Sequence, residues 1–83
     1  MKKIIKAAIK HKGKIYTGLR HGLIMENMRN KGVTAYITHE EQGFLTSSGK
    51  FVSRVEAAKI AFKAGQIKEY VYSLDSYQVF PLI

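Results

Sequence analysis

Apolar and polar positions alternate in two short stretches near the start of the chain. Residues 5–10 are apolar at the odd-numbered positions, and Lys6, Ala8 and Lys10 occupy the even-numbered ones. Such alternation is typical of a strand that buries one face. Lys12-Gly13 is a turn sequence, and a second short stretch runs from Lys14 to Thr17. The pattern predicts a β-hairpin. The core positions predicted for its first strand are Ile5, Ala7 and Ile9.

The spacing of apolar residues then becomes helical. Apolar side chains recur at near-helical intervals from Leu19 to Met28. Gly32 follows at the place where a left-handed C-terminal cap is expected, so we predict a first helix over about Leu19–Asn30. Residues 33–38 alternate again, with Val33, Ala35 and Ile37 apolar. This second change of period predicts a third strand.

A polar loop and a helix start follow one another in the middle of the chain. Phe44–Thr46 and Phe51-Val52 flank the loop, which is typical of a hairpin whose tip needs the positive φ of Gly49. Ser53 and Glu56 have the spacing of a capping box. A second helix is therefore predicted to begin at Ser53 and to end at Gly65.

The last part of the chain, residues 70–83, is rich in tyrosine and aliphatic side chains. A loose terminus of this kind promotes aggregation, so we expect either a further strand or an arm packed on a neighbouring subunit. The length allows one domain over residues 1–83. The predicted fold is a small α+β domain, an antiparallel sheet with two helices packed on it in the order β-β-α-β-β-α, plus an apolar C-terminal strand or oligomerisation arm.

The excess of basic over acidic residues indicates which classes of partner the protein can attract. The chain has 14 Lys and Arg against 6 Asp and Glu, a formal charge of +8. This excess attracts phosphate-bearing partners, such as nucleotides, nucleic acids or anionic lipids. There is no cysteine, which excludes disulfides and cysteine-based zinc sites. No apolar run reaches the length of a membrane span, and the three histidines lack matching acidic spacing. We expect a soluble, intracellular homo-oligomer with no cofactor and no metal.

Polar side chains crowd between residues 41 and 58, where a hairpin and a helix start need few of them. Arg20-His21 lies upstream and Gly65-Gln66 downstream. We predict a ligand site in which cations meet phosphate, amides and one ring meet a base or sugar, and a histidine–glutamate pair moves a proton. The catalytic candidates are His21 and Glu41. The ligand-binding candidates are Arg20, Gln42, Phe44, Lys50, Arg54 and Gln66.

Several candidates also have a purely structural interpretation, whereas Arg54 at the start of the second predicted helix opposes the helix dipole, a cost that an acidic ligand or Glu41 would offset. His21 is at the start of a helix, where it can act as a cap, and Gln66 follows a helix end, where an exposed amide is usual. The sequence around Lys50 is not a Walker phosphate loop, because Phe51 stands where a magnesium-binding Ser or Thr is required. A phosphate could still bind the amides of this Ser/Gly turn, beside Lys50.

Five short motifs resemble a family of small bacteriophage proteins, and together they cover about residues 4 to 77. They are Tyr16-Thr17-Gly18 with Arg20-His21, Glu41-Gln42-Gly43-Phe44, Gly49-Lys50-Phe51-Val52, Arg54-Val55-Glu56-Ala57 and Ala64-Gly65-Gln66. Two departures occur: Leu19 occupies a slot that is basic in the family, and Tyr72-Ser73-Leu74-Asp75 matches a serine-acidic-acidic tail only in part.

The resemblance implies a phage protein that acts in the host cytoplasm. It also implies an anti-defence role, in which a nucleotide immune signal such as a cyclic dinucleotide or an ADP-ribose derivative is sequestered or cleaved. In the cleaving version His21, assisted by Glu41, activates a hydroxyl or water without a metal, while Arg20 and Arg54 stabilise the developing charge. The alternatives are a non-catalytic inhibitor of a host protein and a weak nucleic-acid binder that uses its lysine-rich strand.

Overall fold

The computed structural model describes residues 2–80. Four antiparallel strands form one sheet in the order β2-β1-β3-β4. Three α-helices and one 3₁₀ turn connect them or follow them. The elements are β1 (Ile4–His11), β2 (Lys14–Gly18), α1 (His21–Asn30), the 3₁₀ turn (His39–Glu41), β3 (Gln42–Thr46), β4 (Phe51–Ser53), α2 (Arg54–Lys63) and the short α3 (Ser76–Val79). The predicted α+β class and the order β-β-α-β-β-α are confirmed.

Local turn signals act as the sequence predicts, and of the capping box predicted at Ser53 and Glu56 the half made by the Ser53 hydroxyl is formed. Lys12 and Gly13 join β1 to β2 with φ angles of +49° and +78°, the left-handed pair that a tight hairpin needs. Gly49 has φ +82° in the β3–β4 turn. The Ser53 hydroxyl accepts a hydrogen bond from the Glu56 amide at 3.1 Å and caps α2. These features depend on neighbouring residues alone.

The first strand departs from simple alternation. Its pairing with β3 shifts between Ile4 and Lys6, so that Ile5 lies in a bulge. As a result Ile4 is buried and Ile5 is 43% exposed. The prediction that Ile5 faces the core is therefore wrong, whereas Ala7 and Ile9 are buried as expected. The bulge adds one residue to the strand, so the alternation of inward and outward side chains is reversed for the positions before it.

Both long helices pack on one face of the sheet. The core between them joins Ala7, Ile9 and Phe44 of the sheet to Ile24 of α1 and the small alanines of α2. Alanine at these positions lets α2 lie close to the strands. The full set of buried core side chains is Ile4, Ala7, Ile9, Ile24, Met28, Phe44, Val52, Ala57, Ala58, Ala61 and Leu74.

The opposite face of the sheet carries no helix within residues 2–80. Directly paired residues point to the same face of a sheet, and the pairs Lys10–Ile15, Lys6–Leu45 and Leu45–Phe51 therefore share this face. None of these side chains belongs to the core or packs against it. We call this surface the open sheet face; its members are Lys6, Ala8, Lys10, Ile15, Thr17, Gly43, Leu45, Phe51 and Ser53.

The strand predicted over residues 33–38 is wrong, because this segment pairs with no strand of the sheet. Val33 and Ile37 pack against the core, while Tyr36 between them is 84% exposed. Thr38 then caps the 3₁₀ turn together with Glu41. The alternating pattern reflects a connection that touches the core at two points.

The C-terminal part of the chain packs on the domain itself as far as it is described. Leu74 is fully buried, and its amide donates to the Arg54 carbonyl at 3.0 Å. Val79 and Phe80 also pack against the core. Residues 70–80 contain α3 and no strand. Residues 81–83 lie outside the described residues, and a role of residues 70–83 in oligomerisation stays a prediction.

No helix within residues 2–80 combines the length and the apolar character that crossing a bilayer requires.

Candidate functional site

Arg54 is the centre of a buried polar cluster. The residue is only 8% exposed although it is the first residue of α2. Nη1 donates to the Leu74 carbonyl at 2.8 Å and to Asp75 Oδ1 at 3.1 Å, while Nη2 donates to Gln42 Oε1 at 2.7 Å. Nη2 also lies 3.2 Å from His21 Nδ1. The guanidinium therefore joins α1, β3, α2 and the C-terminal segment. We call Arg54, His21, Gln42 and Asp75 the Arg54 cluster.

The imidazole of His21 is held by two hydrogen bonds. The ring is buried, with 4% of the residue exposed, and Nε2 donates to the Gly43 carbonyl at 2.7 Å. Nδ1 then carries the lone pair that accepts from Arg54. Burial is the main cause that lowers the pKa of His21 to about 4, and the positive charge of Arg54 lowers it further, against the bond to Gly43. The ring is neutral at physiological pH, and both of its nitrogens are occupied.

Burial also lowers the pKa of Arg54, while the carboxylate of Asp75 opposes this shift. Asp75 itself is about half exposed. One guanidinium atom, Nε, is buried and has no partner among the described residues. The other two nitrogens are fully engaged by the protein. The Arg54 cluster therefore links several elements of the fold, and its guanidinium group binds acceptors within the protein.

The low pKa of His21 predicts acid sensitivity. Between about pH 6.5 and pH 4 an unfolded chain protonates this histidine and the folded one does not, so the free energy of unfolding should fall as the pH falls through this window. The expected loss is roughly 3 kcal/mol. Urea unfolding at several pH values measures it.

The matched controls for this prediction are two histidine variants. His39→Asn alters an exposed histidine and should keep the slope, while His21→Gln should abolish it. Glu41 adds a loss of its own that begins near pH 5.5 and grows as the pH falls toward 2, because its pKa is about 4.5 in the unfolded chain and about 2 in the folded one. If NMR of the wild-type ring shows His21 titrating near pH 6.5, the prediction is wrong.

Glu41 binds Thr38 and His11 and does not contact His21. Its Oε1 accepts from the Thr38 amide and hydroxyl, both at 2.9 Å, and its Oε2 contacts His11 Nδ1 at 2.5 Å. The bond from the Thr38 amide is the largest cause that lowers the pKa of Glu41 to about 2, and His11 adds to it. The predicted pairing of Glu41 with His21 is therefore not formed.

The other predicted residues are spread over the domain. Gln66 binds the backbone of Ile4, accepting from its amide and donating to its carbonyl, both at 2.8 Å. Arg20 donates through Nε to the Phe80 carbonyl at 2.9 Å. Phe44 is fully buried, with its ring edge-on to His21, and Lys50 is exposed in the β3–β4 turn.

Of the eight predicted residues the structure thus brings His21, Gln42, Phe44 and Arg54 together. It places Glu41, Lys50, Arg20 and Gln66 elsewhere. Their roles in catalysis or ligand binding stay predictions, and most of them have a structural partner instead.

A cleft opens at the far end of the first hairpin. His11, Lys12, Lys14 and Tyr16 form one wall, and Gly32–Ala35 form the other, around a volume of about 420 Å³. Lys14 Nζ lies 5.4 Å from the centre of the Tyr16 ring. We call this region the hairpin cleft. Within residues 2–80 no group of three or more potential metal-ligating side chains comes together, in the cleft or elsewhere.

The sequence profile of the family described as "Phage T4 y16D protein" matches residues 3–80. The chain belongs to this family. No curated protein and no solved structure matches the chain. Membership of the y16D family confirms the phage origin that the motifs predict. The family description gives no activity.

Sequence reasoning missed the hairpin cleft of this y16D family member. In the sequence, Lys12 is interpreted as a turn residue, Lys14 as a strand residue and Tyr16 as part of the Tyr16-Thr17-Gly18 motif. Residues 33–35, which the alternating pattern places in a strand, instead form the second wall together with Gly32. Only an aromatic residue that follows two exposed lysines signals the cleft in the sequence. Asp75 was likewise missed, because it reaches Arg54 from 21 positions away.

Proposed function

We propose that this phage protein binds a small anionic nucleotide and holds it without cleaving it. The observation that supports this most is the hairpin cleft, which combines an aromatic ring with two lysines in about 420 Å³. Binding sites for small ligands usually span about 300–1,000 Å³ and contain few polar groups with an apolar or aromatic wall. A nucleotide offers both complements, a flat base and a charged phosphate.

The cleft residues have distinct tasks in this proposal. Tyr16 supplies a face on which a base stacks. Lys14 Nζ lies over that ring, 5.4 Å from its centre, and Lys12 lies in the hairpin turn, so both can neutralise the phosphate of a base that stacks on the other side of Tyr16. His11 is kept in place by Glu41. The formal charge of +8 adds long-range attraction for anions.

The burial, hydrogen bonds and pKa values of the two predicted proton-transfer groups, His21 and Glu41, favour binding of the nucleotide without cleavage. His21 is buried and neutral with both nitrogens bonded, and no face of its ring opens to the cleft residues. Glu41 has a pKa lowered to about 2, which makes its carboxylate a weak base. Neither group has the properties that a general base near neutral pH requires. In an infected host cell, a protein that holds a nucleotide immune signal lowers its free concentration and thereby acts against the defence.

The test is retention and release. The purified protein is incubated with a panel of cyclic dinucleotides and ADP-ribose derivatives, separated from free ligand, heat-denatured, and the supernatant is run on a column. We expect one member of the panel to be retained and released intact. An altered product indicates an enzyme, and no retention by the folded protein contradicts the proposal.

Variants locate the site of retention. Lys12→Ala with Lys14→Ala should lower affinity at least about tenfold, because each charge-assisted hydrogen bond contributes about 1.5–3 kcal/mol. Lys59→Ala with Lys63→Ala removes the same charge from exposed positions of α2 and is the matched control. Equal losses in both double variants would show that the ligand binds through net charge and not through the cleft.

A further inference from the structure

The open sheet face has the composition of a surface for single-stranded nucleic acid. Its central strand β1 contributes Lys6 and Lys10, which are both exposed. The two are four residues apart on one face, a distance of roughly 13 Å along the strand. None of the six acidic residues of the chain lies on this face, since they are in α1, the 3₁₀ turn, α2 and the segment after it.

Further lysines continue this line of charge at both ends of the sheet. Lys12 is in the β1–β2 turn, beyond the end of β1. Lys50 is in the β3–β4 turn, which lies beside the start of β1 because Ile4 pairs with Thr46. The four lysines therefore follow the direction of β1 from one edge of the domain to the other. A cationic track of this length fits a phosphate backbone better than a single phosphate group.

Apolar side chains lie next to the lysines on the same face. Phe51 pairs with Leu45, which pairs with Lys6. The Phe51 ring lies over Gly43, with one ring carbon 2.7 Å from the point that a Cβ there would occupy. Ile15 pairs with Lys10 and is partly exposed. An aromatic ring in a positively charged surface is the usual platform on which unpaired bases stack.

Charge complementarity decides which occupant fits. A second copy of this chain would place Lys6 and Lys10 against equivalent lysines, with no acidic residue of the face to pair with them. A duplex hides the base faces that Phe51 could contact, and it leaves Leu45 and Ile15 without an apolar partner. A single strand presents phosphates and bases together. The geometry points to the open sheet face as a docking surface for single-stranded nucleic acid, with Lys6 and Lys10 on the phosphates and Phe51 under a base.

This surface shares Lys12, in the hairpin turn, with the hairpin cleft, so the two are compared through variants that keep Lys12. The inference goes beyond the proposed function. The cleft lies on the face of the sheet that carries Tyr16, which packs against the core, whereas Lys6, Lys10 and Phe51 face the other way. Variants of one surface should therefore leave the other intact. Retention of nucleotides by Lys6→Ala with Lys10→Ala, and binding of an oligonucleotide by Lys14→Ala, distinguish the two.

The test is fluorescence anisotropy with a labelled oligothymidylate of about 16 nucleotides, near the upper site size of small single-strand binding folds. The affinity is measured over a range of salt concentrations. Lys6→Ala with Lys10→Ala should lower the slope of log K against log salt by about 1.4, or about 0.7 for each lost phosphate contact. Phe51→Leu keeps an apolar side chain and should weaken binding several-fold without changing the slope.

The controls separate this surface from diffuse charge. Lys59→Ala with Lys63→Ala removes the same charge from α2, and Phe62→Leu alters an exposed ring on the same helix. Both should bind like the wild type, and circular dichroism should show each variant folded. The inference is overturned if the two lysine pairs lose affinity equally, if a duplex of the same length binds as well as the single strand, or if no binding occurs at low salt.

Discussion

Arg54→Ala is expected to destabilise the protein by about 3–5 kcal/mol, the usual effect of removing one partner from a buried charged network. The variant removes the donors that now satisfy Gln42 Oε1, the Leu74 carbonyl and His21 Nδ1. The Leu74 carbonyl and His21 Nδ1 would then be buried without a partner, and the half-buried Gln42 would lose its own. A chain of this length has a total stability of only about 4–12 kcal/mol. We therefore expect partial unfolding at 37 °C.

Thermal melting measures this loss of stability, and two further variants serve as comparisons. A loss of 3 kcal/mol corresponds to a fall in Tm of at least about 12 °C for a domain of this size. Arg54→Lys keeps the charge but has no planar fork to reach several acceptors, so it should lie between wild type and alanine. Arg29→Ala alters an exposed arginine on α1 and should change stability by no more than about 0.5 kcal/mol.

The same experiment decides between a structural and a ligand-binding role for Arg54. The sequence suggests a cation free to meet phosphate, with little effect of its removal on melting. The structure gives this cation four internal neighbours. If Arg54→Ala melts like the wild type and loses nucleotide retention, the ligand-binding role holds and the cluster is less important for stability than its geometry suggests.

Features of the fold that depend on neighbouring residues could be predicted from the sequence. Lys12-Gly13, Gly49 and Ser53 act through their own φ angles or through a hydroxyl three residues from its amide, and all three behave as expected. The two errors have a different origin. The bulge at Ile5 depends on how β1 meets β3, some forty positions away, and residues 33–38 lack a strand to pair with. Alternation shows which side chains point inward, but it does not show whether a partner strand is present.

The candidate site shows the same limit. The sequence indicates that His21, Gln42 and Arg54 belong to one constellation, and the structure brings them within hydrogen-bonding distance. It does not indicate that the C-terminal segment closes over them. Leu74 and Asp75 bind Arg54 from about twenty positions away and hold its guanidinium group inside the domain. Polar residue types alone cannot distinguish a buried tie from an open pocket, because both need donors and acceptors at short range.

Gly43→Ala is expected to destabilise the protein by about 3 kcal/mol, near the upper end of the usual cost of overpacking. A Cβ at this position would lie 2.1 Å from the Val52 carbonyl oxygen and 2.7 Å from the Phe51 ring. The ring can rotate away, but the carbonyl belongs to the backbone of β4, so β3 and β4 must move apart. Gly43 also accepts the hydrogen bond from His21, and the movement should weaken the Arg54 cluster.

Gly22→Ala is the matched control for Gly43→Ala, with the opposite expected sign. Gly22 is exposed in α1, its φ is not positive, and a Cβ there would meet no atom within 4 Å. Alanine should stabilise the protein by about 0.5 kcal/mol, because it restricts the unfolded chain and suits a helix. Urea unfolding of both variants measures the difference. Equal stability of the two variants would mean that β3 and β4 approach one another less closely than the structure shows, and that Phe51 does not lie across Gly43 on the open sheet face.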